Sequence, residues 1–159
     1  MSESLNLPEI KLLSVGSLQE LAGSLPRTTP WFTLLLVSDE PAADPETLAG
    51  LLRPLVDSGL AYLCTWGQGC EELHDALDAI VAQKEQAEGP LPYTLMSTWH
   101  SEEPLGEAVS YFCTLALPSE SEVFANFSRY AVAVGSTELT RRLKQALLRQ
   151  GIAARNIGQ

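Results

Sequence analysis

The stretch WFTLLLV, over residues 31–37, is an almost unbroken apolar run. It is followed by the polar segment Ser38-Asp39-Glu40-Pro41. Such a run, bounded by turn-forming residues, is typical of a strand buried on both faces of a parallel sheet. Asp44–Glu46 then supplies a helix N-cap, a proline for the first turn and an early acid, and leucines follow at helical spacing. The chain therefore enters a strand–helix unit, in which Pro54 is expected to kink or break the helix near Arg53.

The same alternation continues along the chain. Strands are predicted at 60–65, 93–98 and 130–134, and helices are predicted to begin near Cys70, Glu103 and Ser136. This order indicates right-handed β-α-β units. We therefore predict a three-layer α/β sandwich with a mostly parallel sheet of four or five strands, flavodoxin-like or Rossmann-like. Residues 1–30 are predicted as an N-terminal lead-in with one short helix, and residues 31–159 as a single α/β domain.

Composition limits the class of protein. The chain has 159 residues, of which 45% are apolar and 19% charged, as in an ordinary globular domain. Its three cysteines are odd in number, which favours free thiols and a cytoplasmic protein. We expect no membrane partner, because no apolar stretch reaches about 18 residues and the acidic N-terminus lacks the features of a secretory signal.

Charge is unevenly distributed. Residues 1–128 contain 19 acidic and four basic side chains, whereas residues 129–159 contain one acidic and six basic side chains. The acidic body should repel nucleic acid, so no nucleic-acid partner is expected. A basic protein is the expected partner. The basic last helix is either a solvated face or a contact for an anion or for a second copy of the chain, in a homodimer.

The only two histidines each follow a tryptophan in a predicted strand-to-helix segment. These segments are CTWGQGCEELHD, at 64–75, and STWHSEE, at 97–103. Ligands of open α/β sheets bind outside the carboxyl ends of the strands. We therefore expect Trp66, Cys70, His74, Trp99 and His100 at one edge of the molecule.

Cys70 and His74 are one helical turn apart, so one hypothesis makes Cys70 a nucleophile assisted by the helix dipole and the imidazole. Helical spacing also places Cys70 inside the buried stripe of its helix and His74 at its border. Cys70 is then a small buried apolar residue, and Glu71 and Glu72 oppose a thiolate.

A second hypothesis is a metal site of Cys70, His74 and His100, with Glu102 or Glu103 as a further ligand. These ligand types suit zinc. The alternative is that the histidines only bond a neighbouring carboxylate or carbonyl. No cofactor is predicted, because Gly67-Gln68-Gly69 lacks the lysine of a phosphate-binding loop and is better explained as a tight turn.

The tryptophans and nearby acids are the candidate binding residues. If exposed, Trp66 and Trp99 form an aromatic contact of the kind enriched in protein interfaces; if buried, they cover the end of the sheet. Asp39, Glu71 and Glu103 are predicted to contribute acidic contacts at the same edge.

The same segments resemble an uncharacterised family of small bacterial α/β proteins. Members carry C-x-W-G-x-x-C-E-x-x-H-D followed by T-W-H-x-x-E, found here at 64–75 and 98–103. The resemblance covers roughly residues 31–115, and it implies no activity.

Two functions remain open from the sequence. The first is a non-catalytic cytoplasmic binding or interaction protein with an acidic surface, such as an inhibitor or immunity-type protein. The alternative is a small metal-dependent or thiol hydrolase that uses Cys70, His74 and His100.

Overall fold

The computed structural model describes residues 7–41, 43–152 and 155–157. Its strands are β1 (Ile10–Val15), β2 (Trp31–Ser38), β3 (Leu60–Gly67), β4 (Met96–His100), β5 (Phe127–Val134) and β6 (Arg155–Asn156). Its α-helices are α1 (Leu21–Ser24), α2 (Pro45–Asp57), α3 (Cys70–Glu88), α4 (Leu105–Thr114), α5 (Ser121–Phe124) and α6 (Thr137–Arg149), and a 3₁₀ turn (Leu18–Glu20) precedes α1. Among the described residues, no helix is both long and apolar enough to cross a bilayer.

The strands form one sheet in the order β4-β3-β2-β5-β1-β6, and each pair of neighbours is parallel. The two-residue β6 extends a sheet of five longer strands. Counted from β2, the strands β4-β3-β2-β5 have the order of a Rossmann-type sheet, whereas a flavodoxin-like order would place β4 beside β2. The predicted parallel α/β sheet is confirmed, and its order is that of the Rossmann alternative.

The N-terminal part of the chain differs from the prediction. β1 lies inside the segment predicted as a lead-in, yet it pairs with β5 along its whole length and with β6 on its other side. The prediction is wrong for residues 10–15, so the sheet begins before residue 31. The strand is hard to see in the sequence because Lys11 and Ser14 interrupt its apolar pattern, and Pro8 and Gly16 lie at its ends.

Helices cover both faces of the sheet and make the predicted three layers. One hydrophobic cluster joins the first face to α2 and α3, together with residues of the 3₁₀ turn and α1. The second cluster joins the opposite face to α4 and α6. Along β5, Tyr130 and Val132 belong to the first cluster, and Ala131 and Ala133 belong to the second. This alternation follows from the two-residue period of a strand.

Pro54 does not interrupt α2. The helix runs from Pro45 to Asp57 with Pro54 inside it, so the expected break near Arg53 is absent. Proline removes the hydrogen bond to the carbonyl four residues earlier, here that of Gly50. Gly50 and Pro54 are both exposed, so water can bond to the carbonyl that lacks its helical partner.

Candidate functional site

The carboxyl ends of β3 and β4 lie side by side at one edge of the sheet. Trp66, near the end of β3, is paired with His100, the last residue of β4. His74 lies in the second turn of α3, the helix that follows β3. The two histidine segments therefore reach the same edge.

A tight turn connects β3 to α3. Gly67 has a φ of +101° and Gly69 a φ of 73°, which are left-handed conformations that favour glycine. A Cβ added at Gly67 would overlap the carbonyl oxygen of Ser38, and the backbone N–H of Gln68 donates to the same oxygen at 3.1 Å. The turn serves a close approach of two backbones, in agreement with the interpretation of this glycine pair as a tight turn.

The two histidine rings lie on opposite faces of β4. Ser97 and Trp99 contact His74 on the α3 side, whereas Thr98 and His100 lie on the α4 side. The separation arises because successive side chains of a strand point to opposite faces. The structure therefore does not bring His74 and His100 into one site, as the metal-site and hydrolase hypotheses require.

His100 is the centre of a buried polar cluster. Its side chain is 8% exposed, its Nδ1–H donates to the Glu103 carboxylate, and its Nε2 lies 3.1 Å from Thr98 Oγ1. The ring packs against that of Tyr111, with centroids 4.9 Å apart. Thr98 Oγ1 also donates to Cys64 Sγ at 3.4 Å. These contacts tie the end of β4 to α4 and to β3.

His74 has a similar set of partners in a more open position. Its Nδ1 lies 2.6 Å from Ser97 Oγ, and its Nε2 lies 3.3 Å from Asp78 Oδ2. Its ring lies 4.4 Å from that of Trp99, between centroids. The side chain of His74 is 13% exposed and that of Asp78 is 64% exposed, so water reaches this set of contacts.

Cys70 is buried at the start of α3, as helical spacing predicts. Burial raises the pKa of Cys70, and backbone hydrogen bonds from His100 and Glu71 offset this only in part. The negative charge of Glu72 raises the pKa further. A thiol in this environment is mostly protonated at neutral pH, which argues against the nucleophile hypothesis.

No group of three metal-ligating side chains assembles among the described residues. The predicted set of Cys70, His74 and His100 fails because β4 separates the two imidazoles. The two glutamates predicted as a further ligand have different surroundings. Glu103 accepts a hydrogen bond from His100, and Glu102 is exposed to solvent.

The two tryptophans have different environments. Trp66 is partly buried, donates from Nε1 to the Glu103 carbonyl oxygen at 2.8 Å, and lies beneath the guanidinium of Arg142. Trp99 is 43% exposed. Trp66 therefore packs at the end of the sheet, as one of the two predicted alternatives has it. Trp99 is exposed, as the other alternative has it.

The remaining predicted binding residues are spread along the carboxyl edge of the sheet. Asp39 follows β2 and accepts a weak bond from Ser136 Oγ at 3.4 Å. Glu71 is exposed in the first turn of α3. Asp39 and Glu71 follow β2 and β3, whereas Glu103 follows β4.

A groove between α2 and α3 is the site that sequence reasoning missed. It has a volume of about 620 Å³, and its lining is mostly apolar, with alanines on both sides. The acids Glu46, Glu72 and Asp75 border it, and Arg53 and Gln83 also line it. The helical stripe of buried leucines gives no sign of this groove, because a stripe shows which face of one helix is buried and not which residues of another helix lie opposite it.

Comparison with known proteins gives a family and no further relative. No curated protein and no solved structure matches the chain. A family model matches residues 10–150, which extends the predicted resemblance at both ends and includes β1. The chain therefore belongs to the family described as "Domain of unknown function (DUF7684)".

Proposed function

We propose that the protein is a non-catalytic binding protein whose groove between α2 and α3 accepts a basic segment of a partner protein. The observation that carries the proposal is the groove itself, an apolar floor bordered by three carboxylates. An inhibitor or immunity-type protein, which covers a basic surface of its partner, would use a surface of this kind.

Small side chains account for the groove. Ala43 and Ala49 line it on the α2 side, and Ala76 and Ala79 line it on the α3 side. Methyl groups at these positions leave space that larger side chains would fill between the two helices. A volume of about 620 Å³ is in the range of ligand pockets, so several side chains of a partner fit within it.

The charges at the rim favour a cationic partner. Glu46, Glu72 and Asp75 make no ion pair or side-chain hydrogen bond with any described residue. Lys84 pairs with Asp57 at 2.7 Å, whereas Arg53 donates to the neutral Gln83 at 3.2 Å and keeps its charge. The three carboxylates and this one guanidinium give the lining of the groove a net charge of −2. Unpaired carboxylates beside an apolar floor attract lysine or arginine and speed the encounter with a basic partner.

The hydrolase alternative has less support. It needs Cys70, His74 and His100 in one cavity, and the imidazoles lie on opposite faces of β4. The free, buried thiols of Cys64, Cys70 and Cys113 support a cytoplasmic location for the binding protein, because thiols stay reduced there.

The test is a titration with a lysine–leucine peptide, followed by fluorescence anisotropy, with a glutamate–leucine peptide of the same length as the negative probe. The variant Glu46→Lys/Glu72→Lys/Asp75→Lys should weaken binding of the lysine peptide about tenfold or more, since each reversed charge repels the probe. Binding to the unchanged protein should weaken as salt increases.

The matched control is Glu85→Lys/Glu107→Lys/Glu122→Lys, which changes net charge equally at exposed positions outside the groove. This control should lower affinity by only about twofold, through long-range charge alone. Equal losses in the two variants, or equal affinity for the two peptides, would contradict the proposal.

A further inference from the structure

We propose that the outer edge of β4 is a strand-addition site for an extended segment, bearing lysine or arginine, of a partner protein. This goes beyond the groove, because the edge lies on the other side of α3 and would bind through main-chain hydrogen bonds. The two proposals stand on different residues and can fail separately.

The outer edge of β4 is open. β4 is the terminal strand of the sheet and pairs with β3 alone. Thr98 C=O lies 3.4 Å from Thr65 Oγ1 and thus faces β3, so the N–H and C=O groups of Ser97 and Trp99 point away from the sheet. In the described chain, no hydrogen bond satisfies the outward groups of these two residues.

The edge lacks the usual devices that prevent strand pairing. β4 contains no proline or lysine, and the stretch 85–128 around it contains no lysine or arginine. Met96 and Trp99 are two of the large apolar residues that remain exposed, at 47% and 43%. They lie on opposite faces of the strand, so an added strand would find an apolar neighbour on each face.

The charges around the edge favour a basic segment. Asp78 lies beside Ser97 on the α3 side, with 3.4 Å between Oδ1 and Oγ. Glu120 accepts from the Thr94 backbone N–H at 2.8 Å, just before the strand. Glu102 and Glu103 follow its end. An extended segment along β4 therefore passes carboxylates at its beginning, middle and end.

The same charges argue against a second copy of the chain as the occupant. Antiparallel pairing of two β4 edges about a two-fold axis would place both α3 helices on the same face of a continuous sheet. Each α3 has six acidic residues and one lysine. The repulsion between like charges on the same face opposes this dimer.

The decisive variant is Ser97→Pro, matched with Ser97→Ala. Proline removes an outward N–H and leaves the inward ladder to β3 intact, so the fold can accept it at an edge. With a labelled, alternating lysine–valine peptide as probe, Ser97→Pro should weaken binding about tenfold, whereas Ser97→Ala should change it by about twofold at most. The groove variant should bind this extended peptide with little change.

A second measurement uses the unchanged protein. Two versions of the peptide, N-methylated either at every lysine or at every valine, lose the N–H groups of one strand edge or the other. One version should lose affinity and the other should keep most of it. Equal loss in both, equal binding by Ser97→Pro and Ser97→Ala, or a dimer of the free protein that Ser97→Pro dissociates would each overturn the proposal.

Discussion

His74 and His100 have the same kinds of partner and opposite surroundings. Each imidazole lies between a hydroxyl and a carboxylate: Ser97 and Asp78 for His74, Thr98 and Glu103 for His100. One ring is buried under α4, and the other lies in a partly open position on the α3 side. The Glu103 carboxylate accepts from Nδ1 of His100, whereas the Asp78 carboxylate lies 3.3 Å from Nε2 of His74.

The difference shows how strongly one strand can separate neighbouring side chains. Ser97, Thr98, Trp99 and His100 are consecutive, yet they contribute alternately to the two sides of the sheet. Burial then gives similar chemical groups different roles. The buried set holds β4 to α4, and the open set orders a tryptophan at the surface.

Replacing the buried histidine should give the largest effect. His100→Ala leaves the Glu103 carboxylate and the Thr98 hydroxyl without their shared partner and opens a cavity beside Tyr111. We expect a loss of about 3 kcal/mol in the free energy of unfolding, measured by urea denaturation. A loss below about 1 kcal/mol would show that water replaces the ring at no great cost.

Alkaline pH should destabilise the buried set around His100, because Cys64 belongs to it. Burial raises the pKa of the Cys64 thiol from about 9 to about 12. Well below pH 9 the thiol is protonated in both states, so its contribution to stability is constant. Between about 9 and 12 only the unfolded thiol ionises, so this group should lower stability by up to about 1.4 kcal/mol per pH unit.

The control for this titration is Cys64→Ser, whose hydroxyl does not titrate in that range. The difference in unfolding free energy between the two proteins should be constant well below pH 9 and should change above it. Parallel stability curves at all pH values would mean that the thiol ionises equally in both states.

His74→Ala should give the smallest effect. Its partner Asp78 is 64% exposed and can be solvated by water once the imidazole is removed. We expect a loss of about 1 kcal/mol or less in the same denaturation experiment. A loss as large as that of His100→Ala would remove the distinction between the two faces.

Acrylamide quenching of Trp99 fluorescence should increase in His74→Ala, because the imidazole no longer covers one side of the indole.

Helical periodicity predicted this region better than strand endings did. The spacing of the leucines in α3 places Cys70 inside the buried stripe and His74 at its border, and both positions are confirmed. The predicted strand at 93–98, however, ends before Trp99 and His100, whereas β4 runs from Met96 to His100. Without these residues in the strand, the two-residue alternation that separates the histidines cannot be applied to them.

Two further features depend on packing between elements that are distant in sequence. The groove between α2 and α3 is lined by small side chains of both helices, Ala49 and Ala76 among them, and the pattern of one helix does not show which residues of the other helix lie opposite it. β1 is stabilised by its neighbours β5 and β6 more than by its own pattern, so tertiary pairing overrides its weak local signal.

The place of β5 in the sheet has a consequence for how the chain folds. β5 lies between β2 and β1, and it pairs with strands that precede it by about 90 residues or more. During synthesis, both of those strands leave the ribosome long before their shared neighbour does, and each presents an apolar edge without a partner. Closing such distant pairs is slow, because the entropy of a long loop is lost before the contacts form. β5 is therefore the last of the five longer strands to leave the ribosome, and the sheet cannot join β1 to β2 before residues 127–134 have been synthesised.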